Sequence, residues 1–340
     1  MSLIKKFHLP ALVSFFFFLT SDAAAQKLEM LHEGKNISIR GLSAVSGKVI
    51  WVSGTGGNIG RSTDGGKTWF WNKVTGYDST DFRDIEAFSS STAIIMGIGE
   101  PAVILKTTNG GTTWKKVYEN NGKGMFLDAM DFWNRQSGIV IGDPVGGKFF
   151  VARTFNEGDS WTQIAYNKLP AADSGEACFA ASGTNVRALD RDEACFITGG
   201  RVSRMIWKGQ PVKLPLLQGA ESQGANSIAV WNIRKVPQIV VVGGDFLRDT
   251  MRTGNCIVSR DGGKIWITPS TPPHGYRSSV EYITSAKLAT CGLNGVDVSY
   301  DGGIHWNSIS STGFNVCRKS KKGDVVFFAG GNGRIARLVW

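Results

Sequence analysis

The chain has 340 residues, a formal charge of +10, and 43 Gly against 10 Pro, with 11 Trp and 19 Phe. That composition describes many tight turns between aromatic-rich strands, and no apolar 3.6-residue period runs on after the first 25 residues, which argues against a helical protein. The Lys and Arg are scattered except for Arg318-Lys319-Ser320-Lys321-Lys322, which reads as a solvated hairpin between two apolar stretches; with no stacking platform or known motif beside it, this charge does not indicate nucleic acid.

At the N-terminus, Lys5 and Lys6 precede an apolar stretch over residues 9–19 that contains Phe15 to Phe18, followed by Ser21-Asp22-Ala23-Ala24-Ala25-Gln26. This is the layout of a secretory signal peptide cleaved after Ala25. The apolar run falls short of the roughly 20 residues that span a bilayer. No Cys follows the cleavage point to carry a lipid, and no later segment is long and apolar enough to cross a membrane. The sequence therefore predicts a signal peptide over 1–25 and one domain over 26–340, exported to the periplasm or the extracellular space.

After the leader one pattern recurs, Ser/Thr-x-Asp/Asn-x-Gly-x-x-Trp. It occurs with Asp64 and Trp69, Asn109 and Trp114, Asn156 and Trp161, Asp261 and Trp266, and Asp301 and Trp306. Each residue type suits a hairpin turn. The Asp or Asn accepts peptide N–H bonds across its own turn, Gly supplies the positive φ, and the Ser or Thr hydroxyl ties the incoming strand to the turn. The Trp then offers a large apolar face to a neighbouring unit. These carboxylates read as structural, not catalytic. The spacing of about 40–47 residues, with a degenerate unit near Trp207 and an insertion near 243–254 in the long gap that follows, is that of propeller blades.

Within a unit, two apolar strands precede a glycine-rich turn and a third leads into the box, as at 42–45, 49–52 and 54–57, and again at 85–88, 93–96 and 97–100. The last unit, 325–338, lacks an outer strand, and Leu28-Glu29-Met30-Leu31 can supply it. The expected fold is all-β: a seven-bladed β-propeller of four-stranded antiparallel blades, closed by the N-terminal strand, which leaves no free sheet edge.

Asp-box (BNR-like) repeats of this period occur in sialidases, in sortilin-like receptors and in photosystem II stability/assembly factors. Through Ile39-Arg40-Gly41-Leu42-Ser43-Ala44-Val45, Trp51-Val52-Ser53-Gly54 and the Asp-Gly-Gly-Lys-Thr-Trp box at 64–69, the chain most resembles the last group, over nearly all of its mature length. That resemblance implies a non-enzymatic propeller that binds a protein client. It does not carry over the particular client.

Register places the box turns on one face. It collects Arg40, Arg83, Asp84, Glu100, Asp128, Asp143, Glu176, Asn226, Asp245 and Arg277 on the other, around the central opening. Paired Arg can fork onto a ligand carboxylate or phosphate; the same residues can instead bridge one another around a water-filled channel. Two functions follow. One is a monomeric binding or assembly scaffold, without cofactor, for a protein or glycan. The other is a sialidase-like hydrolase using Arg40, Arg83 and Arg277 with Tyr276 or Tyr282 beside Glu281. The hydrolase reading lacks the Arg-Ile-Pro signature, since Arg40 is followed by Gly41-Leu42, and sialidases have six blades. No dinucleotide motif or GxSxG elbow is present. Only His32, His274 and His305 remain after the leader, and Cys178, Cys195, Cys256, Cys291 and Cys317 are not spaced as a zinc site, so no metal site is legible. Cys178 and Cys195 either pair as a disulfide or, like the others, are small buried thiols.

Overall fold

The computed structural model describes residues 26–233 and 236–339; the predicted leader lies outside these. Seven sheets surround a central axis, and each innermost strand packs on the innermost strands of the blades before and after it, the seventh returning to the first. The first blade is Ile39–Ala44, Ile50–Gly54, Asn58–Ser62 and Phe70–Lys73. The second runs from Phe82–Ala87 to Lys115–Asn120, the third from Leu127–Phe132 to Thr162–Gln163, and the sixth from Ser279–Tyr282 to Trp306–Ser310, each ordered from the axis outward. Three short 3-10 turns are the only helical elements among the described residues, and no helix there is long and apolar enough to cross a membrane.

The ring closes as expected. The seventh blade contributes Val316–Lys319, Val326–Ala329 and Ile335–Val339, and its outer strand is the N-terminal Lys27–His32, antiparallel to Ile335–Val339 with Leu28 opposite Leu338. Seven apolar clusters hold the ring, one between each pair of adjacent blades. Trp161, for example, joins Ile94, Met96 and Ile104 of the second blade to Val140 and Phe150 of the third.

The five boxes build one turn five times. In the first, Ser62 Oγ donates to Asp64 Oδ1 (2.8 Å), accepts from Gly66 N (2.8 Å), and Asp64 Oδ1 accepts from Thr68 N (3.0 Å). The same three bonds recur around Asn109, Asn156, Asp261 and Asp301. Gly65 and Gly66 sit at φ 83° and 90°, where a Cβ would be strained. The hydroxyl of Thr68 and the turn amides hold Asp64 at a pKa of about 2. Each Trp packs into the cluster shared with the preceding blade, as Trp114 does edge-on to Trp51 at 6.4 Å.

The fourth and fifth blades depart from the repeat. Trp207 ends the strand Arg204–Trp207 ahead of its turn instead of following it. Lys208 (φ 55°) and Gly209 (φ 72°) make a two-residue hairpin in place of a box. In the fifth blade, the surplus length lies partly in the loop 246–255, which overlaps the predicted insertion at 243–254, and partly in an extended hairpin, Gln223–Ile233 against Val236–Asp245, whose second strand takes up 243–245. Its outer strand is reduced to the single bridge Val258–Ile267. Short strands Glu176–Ala177 and Gly199–Gly200 join this sheet at its axial end and make it five-stranded.

Two expectations are corrected. Arg318 is not part of a solvated hairpin, because it belongs to the innermost strand and its Nη2 donates to Gly183 O at 2.7 Å; only 321–324 at the tip are exposed. Nor is the channel open at mid-depth, where the segment 180–185 crosses it. There Arg40 reaches Ala181 O (3.3 Å), Ser182 Oγ reaches Ser278 O (2.7 Å), and Thr184 Oγ1 reaches Ser227 Oγ (2.6 Å). The five cysteines are buried free thiols, so Cys178 and Cys195 do not pair.

Candidate binding site

The crossing segment divides the axis into two cavities. The upper one, about 430 Å³, lies on the face opposite the boxes and is lined by Arg40, Arg83, Asp143 and Asn226 with Phe126, Phe179, Phe246, Tyr276 and Leu293. Three blades place a side chain there by one device. Arg40, Arg83 and Asn226 each occupy the unpaired bulge position near the start of an innermost strand, between Ile39 and Gly41, Phe82 and Asp84, and Ala225 and Ser227; Asp128 holds the same position between Leu127 and Ala129 but stays behind the wall. A bulge drops one residue out of the ladder and re-aims it.

Within the cavity Arg83 Nε donates to Asp81 (2.8 Å), and its guanidinium lies over Phe126 at 5.9 Å from the ring centre. Arg40 makes one hydrogen bond among the described residues, to Ala181 O. Burial and then the neighbouring Arg83 charge push its pKa down. Asn226 Oδ1 accepts from Tyr276 Oη at 2.8 Å. Asp143 Oδ1 accepts from Cys178 N (2.8 Å), and burial lifts its pKa to about 6. The site thus offers two closely set cations over an apolar, aromatic wall.

The remaining predicted residues do not reach the cavity surface. Asp84 is buried in the channel wall, accepting from Ile85 N and Met130 N at 2.8 Å each. Asp128 is fully buried. Glu100 accepts from Gly124 N on the adjoining loop. Glu176 is forked by Arg204 and accepts from Thr198. Asp245 pins its own loop: burial would raise its pKa, but bonds from Arg248, Gln223 and Leu247 N outweigh that and hold it at about 2. Arg277 is fully buried and consumed by Asp297 (Nε, 2.7 Å), Tyr276 O (2.8 Å) and Asn294 (2.6 Å).

The hydrolase constellation is therefore not brought together. Arg277 is absent from the cavity, and the Tyr276 hydroxyl is buried, which raises its pKa. Tyr282 and Glu281 line the other opening, on the box face. That second cavity, about 550 Å³, is lined by Glu86, Asp131, Arg187, Arg318 and Lys321 with Trp133 and Trp231. Sequence reasoning missed it because these residues sit at the far ends of innermost strands whose near ends had been assigned to the opposite face.

No protein-family model matches the sequence, and no curated protein matches it. Solved structures do. A structure described as YCF48 bound to D1 peptide superposes with a TM-score of 0.65 at 17% identity, covering 95% of this chain and 100% of its own. YCF48 from Cyanidioschyzon merolae gives 0.62 at 16%, covering 92% and 98%. The WD40 β-propeller domain of Doa1 gives 0.63 at 11%, covering 93% and 97%. The likeness is one of fold.

The buried Asp84 makes a pH prediction. Burial raises its pKa to about 8, against an opposing pull from Arg318 of the seventh blade; Glu86 on its own strand adds to the rise. Unfolded, it titrates at the ordinary carboxylate value of about 4. Between those values the folded chain keeps a proton that the unfolded chain has lost, so this contribution is full below about pH 4 and disappears as pH rises through about 8. Thermal melts are expected to give a falling Tm from pH 5 to pH 8, with a shallower slope in Asp84→Asn. A wild-type Tm that rises over that interval would contradict the assignment.

Proposed function

We propose that this chain is an exported, non-enzymatic propeller that serves as a binding or assembly scaffold, holding a protein segment on its upper face. The observation that carries this reading is the pairing of Arg40 and Arg83 above Phe126, Phe179, Phe246, Tyr276 and Leu293. Arg40 has one bond to a backbone carbonyl and a like charge beside it. A ligand carboxylate relieves that repulsion while the aromatic wall takes up an apolar side chain. A propeller of similar fold is described as bound to a peptide, which supports a peptide as the occupant. The five Asp-box turns support placing the chain beside the assembly factors that it resembles, and the Lys5–Ala25 layout supports export.

The test uses protein beginning at Gln26 and a fluorescent peptide library in which an acidic residue neighbours an aromatic one, with a glycan array alongside. Arg40→Ala and Arg83→Ala are each expected to weaken peptide binding about 10–100-fold, the range of a lost charge-assisted hydrogen bond, with little change in Tm. Binding should also weaken as salt is raised. Turnover of fluorogenic glycosides, sialosides included, that disappears in Arg83→Ala would overturn the non-enzymatic reading.

A further inference from the structure

Beneath the arginines, the wall of the upper cavity brings three potential metal ligands together. Asp128 lies on the innermost strand of the third blade and Asp143 on the next strand, Gly138–Val145; Cys178 follows Glu176–Ala177 at the entry to the fourth blade. Their ligand atoms lie within 4.8 Å of one another. Both aspartates are bulge residues. Pairing skips Asp128 between Leu127 and Ala129, and skips Asp143 between Gly142 and Pro144. Two facing bulges therefore turn two carboxylates to the same point, where an unbroken ladder would pair them away.

Asp128 supplies the independent observation. It is 0% exposed, and neither carboxylate oxygen has a hydrogen-bond partner among the described residues. The nearest backbone donors are engaged elsewhere, Asp143 N on Phe126 O (2.9 Å) and Cys178 N on Asp143 Oδ1 (2.8 Å), and the Arg83 charge acts on Asp128 without a hydrogen bond to it, its Nε being held by Asp81 (2.8 Å). The Cys178 thiol reaches only Ile197 O, at 3.9 Å. A buried carboxylate left without a donor costs free energy unless a proton or a cation answers it.

We propose that Asp128, Asp143 and Cys178 bind one divalent transition metal of the zinc class. Thiolate softness beside two carboxylates selects a borderline ion over magnesium or calcium. Metal–sulfur and metal–oxygen bonds of about 2.0–2.3 Å put tetrahedral ligand atoms roughly 3.3–3.8 Å apart, so the observed spread closes by small side-chain rotations. Binding forms one metal–sulfur and two metal–oxygen bonds, and it releases to solvent the thiol proton and any proton on the carboxyls. Asp143 and Cys178 line the cavity, which gives the ion an entry path and leaves its remaining position facing the pocket. This inference is independent of which partner the pocket holds.

The experiment titrates metal-free, tag-free protein beginning at Gln26 with Co²⁺, following near-UV thiolate-to-cobalt charge transfer, and then displaces the cobalt with Zn²⁺. One equivalent is expected, with the charge-transfer band abolished in Cys178→Ser. Zn²⁺ affinity should drop at least about tenfold in Asp128→Asn and in Asp143→Asn, the scale of a lost ligand or its support. Circular dichroism checks that each variant folds; Asp143→Asn, at the cavity surface, serves if a more buried change does not. Saturating Zn²⁺ should raise the Tm of the wild type and not that of the variants. An absent band, or one that persists in Cys178→Ser, would overturn the site and leave Asp128 and Asp143 to share a proton instead.

Discussion

A chain shortened to begin at Gly34 is expected to lose most of its stability and to aggregate. The missing Lys27–His32 is the outer strand of the seventh blade, and five of its residues pair with Ile335–Val339. Its loss also removes the bond between His32 Nδ1 and Gly333 O (2.8 Å), the Glu29–Arg337 ion pair, and the packing of Leu28 and Leu31 on two inter-blade clusters. At about 0.5–1.5 kcal/mol per ladder bond and about 1.5–3 kcal/mol per apolar side chain, the loss is on the order of 5–10 kcal/mol. That rivals the whole stability of a typical domain. The exposed edge of Ile335–Val339 then invites pairing between molecules. Denaturant melts and light scattering of the shortened chain measure both effects, and a synthetic peptide of residues 26–33 should restore part of the transition. A shortened chain that stays monomeric with an unchanged midpoint would show that the strand is ornamental to closure.

Asp297→Ala is expected to be the most damaging point substitution near the upper cavity. Asp297 and Arg277 are both fully buried, and Asp297 also accepts from the His274 ring at 2.6 Å. Removing the carboxylate strands a guanidinium that retains only Tyr276 O and Asn294 as partners. Breaking one side of a buried pair costs about 3–5 kcal/mol, a Tm drop of roughly 6–20 °C at about 2–4 °C per kcal/mol. The paired change Arg277→Met with Asp297→Leu removes both charges and is expected to recover most of the loss, because burying two ions nearly cancels their attraction. If the double variant is as unstable as the single one, the pair is not what holds this corner.

The sequence alone determined the repeat, the blade count and the ring closure. Each box bond spans at most four residues, as from Ser62 to Gly66 or from Asp64 to Thr68, so turn chemistry is written locally and survives in one dimension. The missing outer strand at 325–338 and the spare one at 28–31 were legible for the same reason. Only the tertiary structure decided the site. Register could place ten polar residues on one face, but not say which of them another side chain would claim. Arg277 is taken by a residue 20 positions on, and Glu176 by one 28 positions on. Arg40 and Arg83 face the cavity because their bulges re-aim them, Arg40 with one backbone partner and Arg83 paired with Asp81, and a bulge leaves no mark in the residue pattern. The crossing segment 180–185 is equally silent in sequence: Gly183 meets Arg318, 135 residues away, and Ser182 and Thr184 find hydroxyl and carbonyl partners only once the ring has closed. Burial then sets what each carboxylate does, lifting Asp84 and Asp143 while the solvent-facing Asp64 is held low by its own turn. The same side chain has opposite chemistry in the two places because desolvation and hydrogen bonding are properties of the assembled ring, not of the residue.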